Sequence, residues 1–270
     1  MEAPGDAPGL SGGGLTMEFP QVLFLICPLV FLAGVIDAVA GGGGLITLPA
    51  YLLAGLPPHL ASGTNKAGNT FGTCVSALRF LKKGSIHVPS ALVGGGCALV
   101  GAWLGAQLNM IMPEEYLYYV MLVAVPAMAI FLLFKREFGT ENRSHELGKV
   151  RLLVIAGVVG LAVGCYDGFF GPGAGTFLML AFSGLCKFDL LTASGNTKVA
   201  NAASNVASLV TFAMSGQVVW AIGLPAAVCG MAGNYVGSGL ALKNGAKIIR
   251  PMFLVVLTLL VIRMASNVLF

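Results

Sequence analysis

The sequence predicts an all-α polytopic membrane protein made of two related halves. Three observations carry this expectation. The 270 residues are 57% hydrophobic and only 10% charged, whereas soluble domains carry roughly a quarter charged residues. Apolar runs near the length of a bilayer crossing follow one another with short loops between them. Glycine and polar motifs of the first half return in the second at a shift of about 130 residues. Mean hydropathy is +0.88, and no stretch is long and polar enough for a separate soluble domain. The function therefore belongs inside the bilayer. The net charge of +4 does not indicate a nucleic-acid partner, because Lys and Arg stand in short loops, where they report orientation.

Residues 1–19 are rich in Gly, Pro and Ala and cannot bury a core. They read as a disordered tail or an added extension, with Met17 as a native start. Their Gly9-Leu10-Ser11-Gly12-Gly13 stretch matches a nucleophile elbow, but it follows no strand and has no Asp or His partner nearby. A first membrane repeat is expected over 20–135, a cytoplasmic linker over 136–150, and a second repeat over 151–270. Apolar runs fall near 20–40, 45–56, 62–81, 88–108, 116–135, 151–170, 175–186, 190–213, 218–241 and 251–269, which gives about eight to ten segments. The second and seventh are too short to span. Each follows a glycine-rich break, Gly41-Gly42-Gly43-Gly44 or Gly171-Pro172-Gly173-Ala174-Gly175, where a helix does not continue. Such backbone survives in a membrane only where protein or a water cavity satisfies it, so broken or re-entrant helices are expected there.

The cations set the sidedness. Arg79, Lys82 and Lys83 form one basic loop. Lys135, Arg136, Arg143, Lys149 and Arg151 form the central one. Lys187 marks a third, and Lys243, Lys247 and Arg250 a fourth. The loops at Pro113-Glu114-Glu115 and Ser215-Gly216-Gln217 carry no cation. Basic loops in the cytoplasm of an inner-membrane protein place both termini outside.

The repeat is specific. Gly34-Val35-Ile36-Asp37 with Gly41 matches Gly164-Cys165-Tyr166-Asp167 with Gly171. Ala61-Ser62-Gly63-Thr64-Asn65-Lys66 with Asn69 matches Ala193-Ser194-Gly195-Asn196-Thr197-Lys198 with Asn201. Gly84 matches Gly216, and Gly101 with Gly105 matches Gly233 with Gly237. A basic loop in one half answers an uncharged or acidic loop in the other, so equivalent loops face opposite sides. That is the pattern of inverted-topology repeats in secondary transporters.

Lys66 and Lys198 stand at equivalent positions in apolar segments, and a Lys at the bilayer centre costs roughly 2.5–3.5 kcal/mol. Ser62, Lys66, Asn69 and Thr73 share a helix face, as do Ser194, Lys198, Asn201 and Asn205. Facing one another, the stripes would hold a small oxyanion. The substrate-binding candidates are Lys66, Lys198, Asn69, Asn201, Ser62, Ser194, Thr64, Asn65, Asn196 and Thr197. Gly43, Gly44, Gly173 and Gly175 join them, because helices opening near Leu45 and Thr176 offer free N–H groups and a positive dipole end. The competing reading makes each Lys the partner of an Asp, the Asn residues interhelical glue, and the glycines packing devices. Asp37 and Asp167 admit three roles: neutralising a Lys, carrying a proton that couples transport to the gradient, or capping the helix break. His59 and His87 lie near segment ends without counterparts and read as interfacial residues. Arg263 snorkels from the last segment. Trp103, Trp220, Tyr116, Tyr118 and Tyr119 read as belt residues. The glycine pairs allow close contact within the bundle or between the protomers of a homodimer. Cys27, Cys74, Cys97, Cys165, Cys186 and Cys229 stand singly and form no metal motif, so no metal site, cofactor or catalytic group is expected.

The Gly-x-x-Asp-x-x-x-Gly-Gly-Gly-Gly stretch from Gly34, the later Ala-Ser-Gly-Thr-Asn-Lys with Asn69, and their echoes resemble the sulfite exporter TauE/SafE family, also called the toluene sulfonate uptake permeases. The resemblance covers nearly the whole chain after residue 20. It implies a prokaryotic-type permease for small sulfur-containing anions such as sulfite or organosulfonates. Thr64-Asn65 against Asn196-Thr197, and Gly44 against Ala174, leave the site only pseudo-symmetric. Besides a secondary transporter with alternating access, the competing readings are an anion channel, a carrier of other small anions or metal ions, and an intramembrane enzyme. The enzyme is disfavoured because no HExxH motif is present. Metal transport calls for His, Cys or clustered carboxylates.

Overall fold

The computed structural model describes residues 19–113, 115–116, 141–245 and 247–248. The tail before Phe19, the expected segment 116–135 beyond Tyr116, the segment 251–269, and Glu114, Tyr118, Tyr119, Lys135, Arg136, Arg250 and Arg263 lie outside these residues. The described chain is all-helical. It runs α1 Phe19–Ala40, α2 Gly44–Leu53, α3 Pro58–Lys82, α4 Val88–Ile111, a 3-10 turn Ser144–Glu146, α5 Lys149–Phe169, α6 Ala174–Gly184, α7 Leu190–Met214 and α8 Trp220–Asn244. By length and composition α1, α4 and α5 can each cross a membrane. The helices α3, α7 and α8 each have 25 residues, about 37 Å at 1.5 Å per residue. The short apolar helices α2 and α6 have 10 and 11 residues, half of a crossing.

Small residues set how the helices meet. A Cβ on Gly101 would lie 2.2 Å from the Leu161 carbonyl, and one on Gly105 1.9 Å from that of Cys165. These glycines bring α4 against α5 with backbones in contact. The equivalent pair does the same for α8 and α1: a Cβ on Gly233 would lie 2.1 Å from the Phe31 carbonyl, and one on Gly237 2.4 Å from that of Val35. Thus the first helix of each half packs on the fourth helix of the other. The third helices follow the same exchange, α3 against α8 and α4 against α7.

The order of these contacts fixes direction. Gly63 meets Gln217, Gly72 meets Gly230, and Ser76 bonds Asn234, so α3 and α8 run parallel. Ser90 bonds Asn196, and Gly95 meets Val199, so α4 and α7 run parallel. Because α4 starts where α3 ends, α3 and α7 run in opposite directions. The ends of α3 and α8 and the starts of α4, α5 and α7 therefore share one end of the bundle. Arg79, Lys82, Lys83, Lys149, Arg151, Lys187 and Lys243 all stand there, while the Ser215-Gly216-Gln217 turn stands at the other end.

At the basic end the linker is tied down. Glu146 takes an ion pair from Arg143 and one from Lys187, each 2.7 Å long, and the Arg143 amide donates to the Lys187 carbonyl. Lys187 and then Arg143 hold the Glu146 carboxyl down to about 2. Arg79 lies over the Tyr235 ring at 4.0 Å and donates to Ser238, closing the end of α3 onto α8. Trp103, Trp220 and Tyr116 are exposed, as belt residues would be.

Candidate functional site

The two glycine breaks meet at the centre of the bundle. Gly41 and Gly171 both take positive φ, +79° and +94°, a conformation that L side chains avoid. Gly41 packs directly on Gly175, and Gly44 faces Pro172 and Gly171. Thr176 Oγ1 donates to the Ala40 carbonyl, the last of α1. The second break therefore caps the first, the two pack against each other, and α2 and α6 begin beside the same point. Turn bonds already take the amides of Leu45, Ile46, Thr47 and Ala174, so what both starts turn toward this point is the positive end of the helix dipole.

Beside the meeting point lies a polar cavity. Asp37, Gly41 and Gly44 line it from the α1–α2 stretch, Asn65, Lys66, Asn69 and Thr73 from α3, Asp167, Gly171 and Gly175 from the α5–α6 stretch, and Asn201 and Asn205 from α7. Centres of water-sized spheres reach about 20 Å³ of it, and one water needs roughly 10–15 Å³ on that measure. It thus has room for one or two waters.

Among the described residues all four buried charges are paired, each across the two halves. Lys66 Nζ lies 2.9 Å from Asp167 Oδ1 and donates to Asn205 Oδ1 at 3.0 Å. Lys198 Nζ lies 3.2 Å from Asp37 Oδ2 and also donates to the Asp37 carbonyl. Ser204 Oγ donates to the second oxygen of Asp167. Asn69 donates to Asn65 at 2.9 Å, and Asn205 donates to Thr73 and to Asn201 at 3.4 Å each. The amides form a connected network around the cavity and leave no bare charge in it, as burial demands.

Of the residues singled out from sequence, Lys66, Asn65, Asn69, Asn201, Asp37, Asp167, Gly44 and Gly175 share this cavity. The others do not line it. Lys198 lies behind Asp37 and is 1% exposed. Thr64 Oγ1 accepts the Val219 amide just before α8. Asn196 Oδ1 accepts the Ser90 hydroxyl in the first turn of α4. These two equivalent residues therefore fasten the start of the opposite half's fourth helix. The Ser62, Ser194 and Thr197 hydroxyls are buried and have no hydrogen-bond partner among the described residues. Gly43 packs on Asp37 and Ala33, and Gly173 supplies a left-handed turn before α6. Thr73, Asn205, Gly41 and Gly171 complete the cavity. Thr73 and Asn205 already stood on the polar stripes, one turn beyond the repeated motif, and Gly41 and Gly171 stood in the breaks. His59 bonds Asn109 at 3.1 Å, and His87 caps α4 through Ser90. The described residues hold no cluster of metal-ligating side chains.

Residues 26–264 match the sulfite exporter TauE/SafE family. A probable membrane transporter protein of Sinorhizobium sp, ORF9, is 37% identical over 252 residues, covering 93% of this chain and 95% of that protein. The probable membrane transporter protein YfcA of Escherichia coli K12 is 36% identical over 248 residues, 89% of this chain and 91% of its own. A probable membrane transporter protein of Haemophilus influenzae is 33% identical over 251 residues, 92% and 96%. No solved structure matches significantly. With the match running through both glycine breaks and both Lys-bearing helices, the chain is a polytopic membrane protein of the sulfite exporter TauE/SafE family.

Proposed function

We propose that this protein is a secondary transporter of small sulfur-containing anions, such as sulfite or an organosulfonate, and that the cavity at the two glycine breaks is its substrate site. The observation that carries the reading is the pair of crossed ion pairs, Lys66–Asp167 and Lys198–Asp37, joining the halves around that cavity. Buried charge without a transport role is an expensive way to hold helices together, since apolar replacements of similar volume are often as stable. An oxyanion in the cavity meets the Lys66 ammonium, the Asn65, Asn69, Asn201 and Asn205 amides and the positive dipole ends of α2 and α6. These are groups suited to spread negative charge.

The mechanism is alternating access. The halves are read as an inverted repeat, supported by the opposed directions of α3 and α7 and by the exchanged helix contacts. A site with room for one or two waters admits an anion only as the halves rock apart. The basic end is assigned to the cytoplasm.

The test is flux into proteoliposomes for sulfite, sulfoacetate, methanesulfonate, thiosulfate, sulfate, phosphate and acetate. Saturable uptake of a sulfur anion is expected, falling at least 100-fold in Lys66→Ala. Uptake confined to phosphate or acetate would remove the sulfur assignment. Wild-type flux in Lys66→Ala would remove the site.

A further inference from the structure

The two crossed ion pairs are equivalent in sequence but not in their surroundings. Lys66 reaches the cavity and shares its proton donors between Asp167 and Asn205. Beside this pair stands Gly171, where a Cβ would lie 3.5 Å from Asp167 Oδ1 and 3.6 Å from Lys66 Nζ. Its missing side chain leaves an approach to the pair. The counterpart of Gly171 is Gly41, and there the approach is shut: a Cβ would lie 2.3 Å from the Gly175 backbone. Lys198 does not line the cavity, and its ammonium is held by both the carboxylate and the main-chain carbonyl of Asp37. The counterpart of Asn205, which gives Lys66 a second side-chain acceptor, is Thr73, and the counterpart of Ser204, which serves Asp167, is Gly72. Nothing equivalent releases Lys198.

The charge at the cavity is balanced only with its backing: Lys66 in the lining and Lys198 behind Asp37 stand against Asp37 and Asp167. An anion entering it adds a buried negative charge without a partner, which burial strongly disfavours. Balance is kept if one carboxylate takes a proton as the anion binds. Asp167 is faced by Lys66 from α3 and by Ser204 from α7, and Asp37 lies across the cavity from α1. The only other titratable side chain on α7 is Lys198, α4 carries only Cys97, and α6 carries none. Tyr166 neighbours Asp167 on α5 and donates to the Pro172 carbonyl.

Resting on the transport reading above, we propose that Lys66–Asp167 is the exchanging pair, in which substrate anion replaces the carboxylate on Lys66 while one proton from solution binds Asp167, and that Lys198–Asp37 is a fixed tie. The step balances. A proton from the aqueous phase forms an O–H bond on Asp167, the Lys66 Nζ–H donors turn from Asp167 to the anion, and release on the other side reverses both. A monovalent anion then moves with one proton and no net charge.

The test measures protons and anion together in proteoliposomes holding a pH-sensitive dye, with methanesulfonate, which does not titrate near neutral pH, alongside sulfite and sulfoacetate. The wild type is expected to move about one proton per methanesulfonate. Asp37→Asn is expected to keep that ratio at whatever flux remains. Asp167→Asn is expected to exchange anion with a ratio near zero. A ratio near one in Asp167→Asn, or near zero in Asp37→Asn, would overturn the assignment. If a variant does not fold, titration calorimetry of the wild type in buffers of different ionisation enthalpy decides, with uptake of about one proton per bound anion expected and none overturning the proposal. Anion flux without protons in the wild type overturns this inference and leaves the transport reading intact. No anion flux at all removes both.

Discussion

Lys66 and Lys198 occupy the same place in a repeated motif, yet their neighbours differ, and the neighbours decide what each can do. Lys66 opens onto space beside Gly171, whereas Lys198 is held behind Asp37. The motif made both lysines visible from sequence, because a charge in an apolar segment needs a reason. It did not reveal their unequal settings, which depend on Gly41 touching Gly175 about 130 residues away. Thr64 and Asn196 show the same limit. Their place beside the lysines suggested substrate contacts, but a helix residue two positions from Lys points to another face. There they hold Val219 and Ser90. Thr64→Val should therefore lower the thermal midpoint in detergent, by an amount equivalent to about 0.5–2 kcal/mol, as for loss of a helix cap. The KM for the transported substrate should stay unchanged. A raised KM without loss of stability would return Thr64 to the site.

At the scale of elements, the glycine pairs are the joints between the halves. Gly101 and Gly105 on α4, and Gly233 and Gly237 on α8, leave no room for even a methyl group. Gly105→Ala should cost about 1–3 kcal/mol through overpacking, read as an earlier loss of monodisperse protein on heating. Gly96, on the same helix, is exposed and has nothing within 4 Å of a Cβ. Gly96→Ala should be neutral or stabilise by about 0.5–1 kcal/mol through helix propensity. Equal effects of the two substitutions would show that close contact at Gly105 does not set its cost. The positions of α1 to α8 were readable from hydropathy and glycine breaks, because bilayer length and helix breaking are local matters. The partner of each helix was not readable: a small-xxx-small pair says that something packs closely, without saying which helix.

At the scale of the whole molecule, Arg143, Glu146 and Lys187 fasten the linker to the α6–α7 turn of the second half at the basic end. The Glu146 carboxyl is held at about 2, below its ordinary 4.5. A lowered carboxyl value means that the charged form favours the docked linker. The contribution is present above about pH 4.5 and is lost as pH falls from there through about 2. Amide exchange over residues 143–147 should therefore be slower at pH 6 than at pH 3 after correction for the intrinsic rate. Glu146→Gln should show the faster exchange already at pH 6. Equal protection in the wild type and Glu146→Gln would sink this account. The sequence by itself determined the membrane class, the helix breaks, the repeat and the buried charges, because each follows from local composition and from the cost of polar groups in lipid. Only the tertiary structure decided that each Lys pairs with the Asp of the other half, that both breaks meet, and that the two pairs differ. Those outcomes depend on contacts between segments far apart in the chain, and the nearly equal motifs contain no record of which neighbours they will meet.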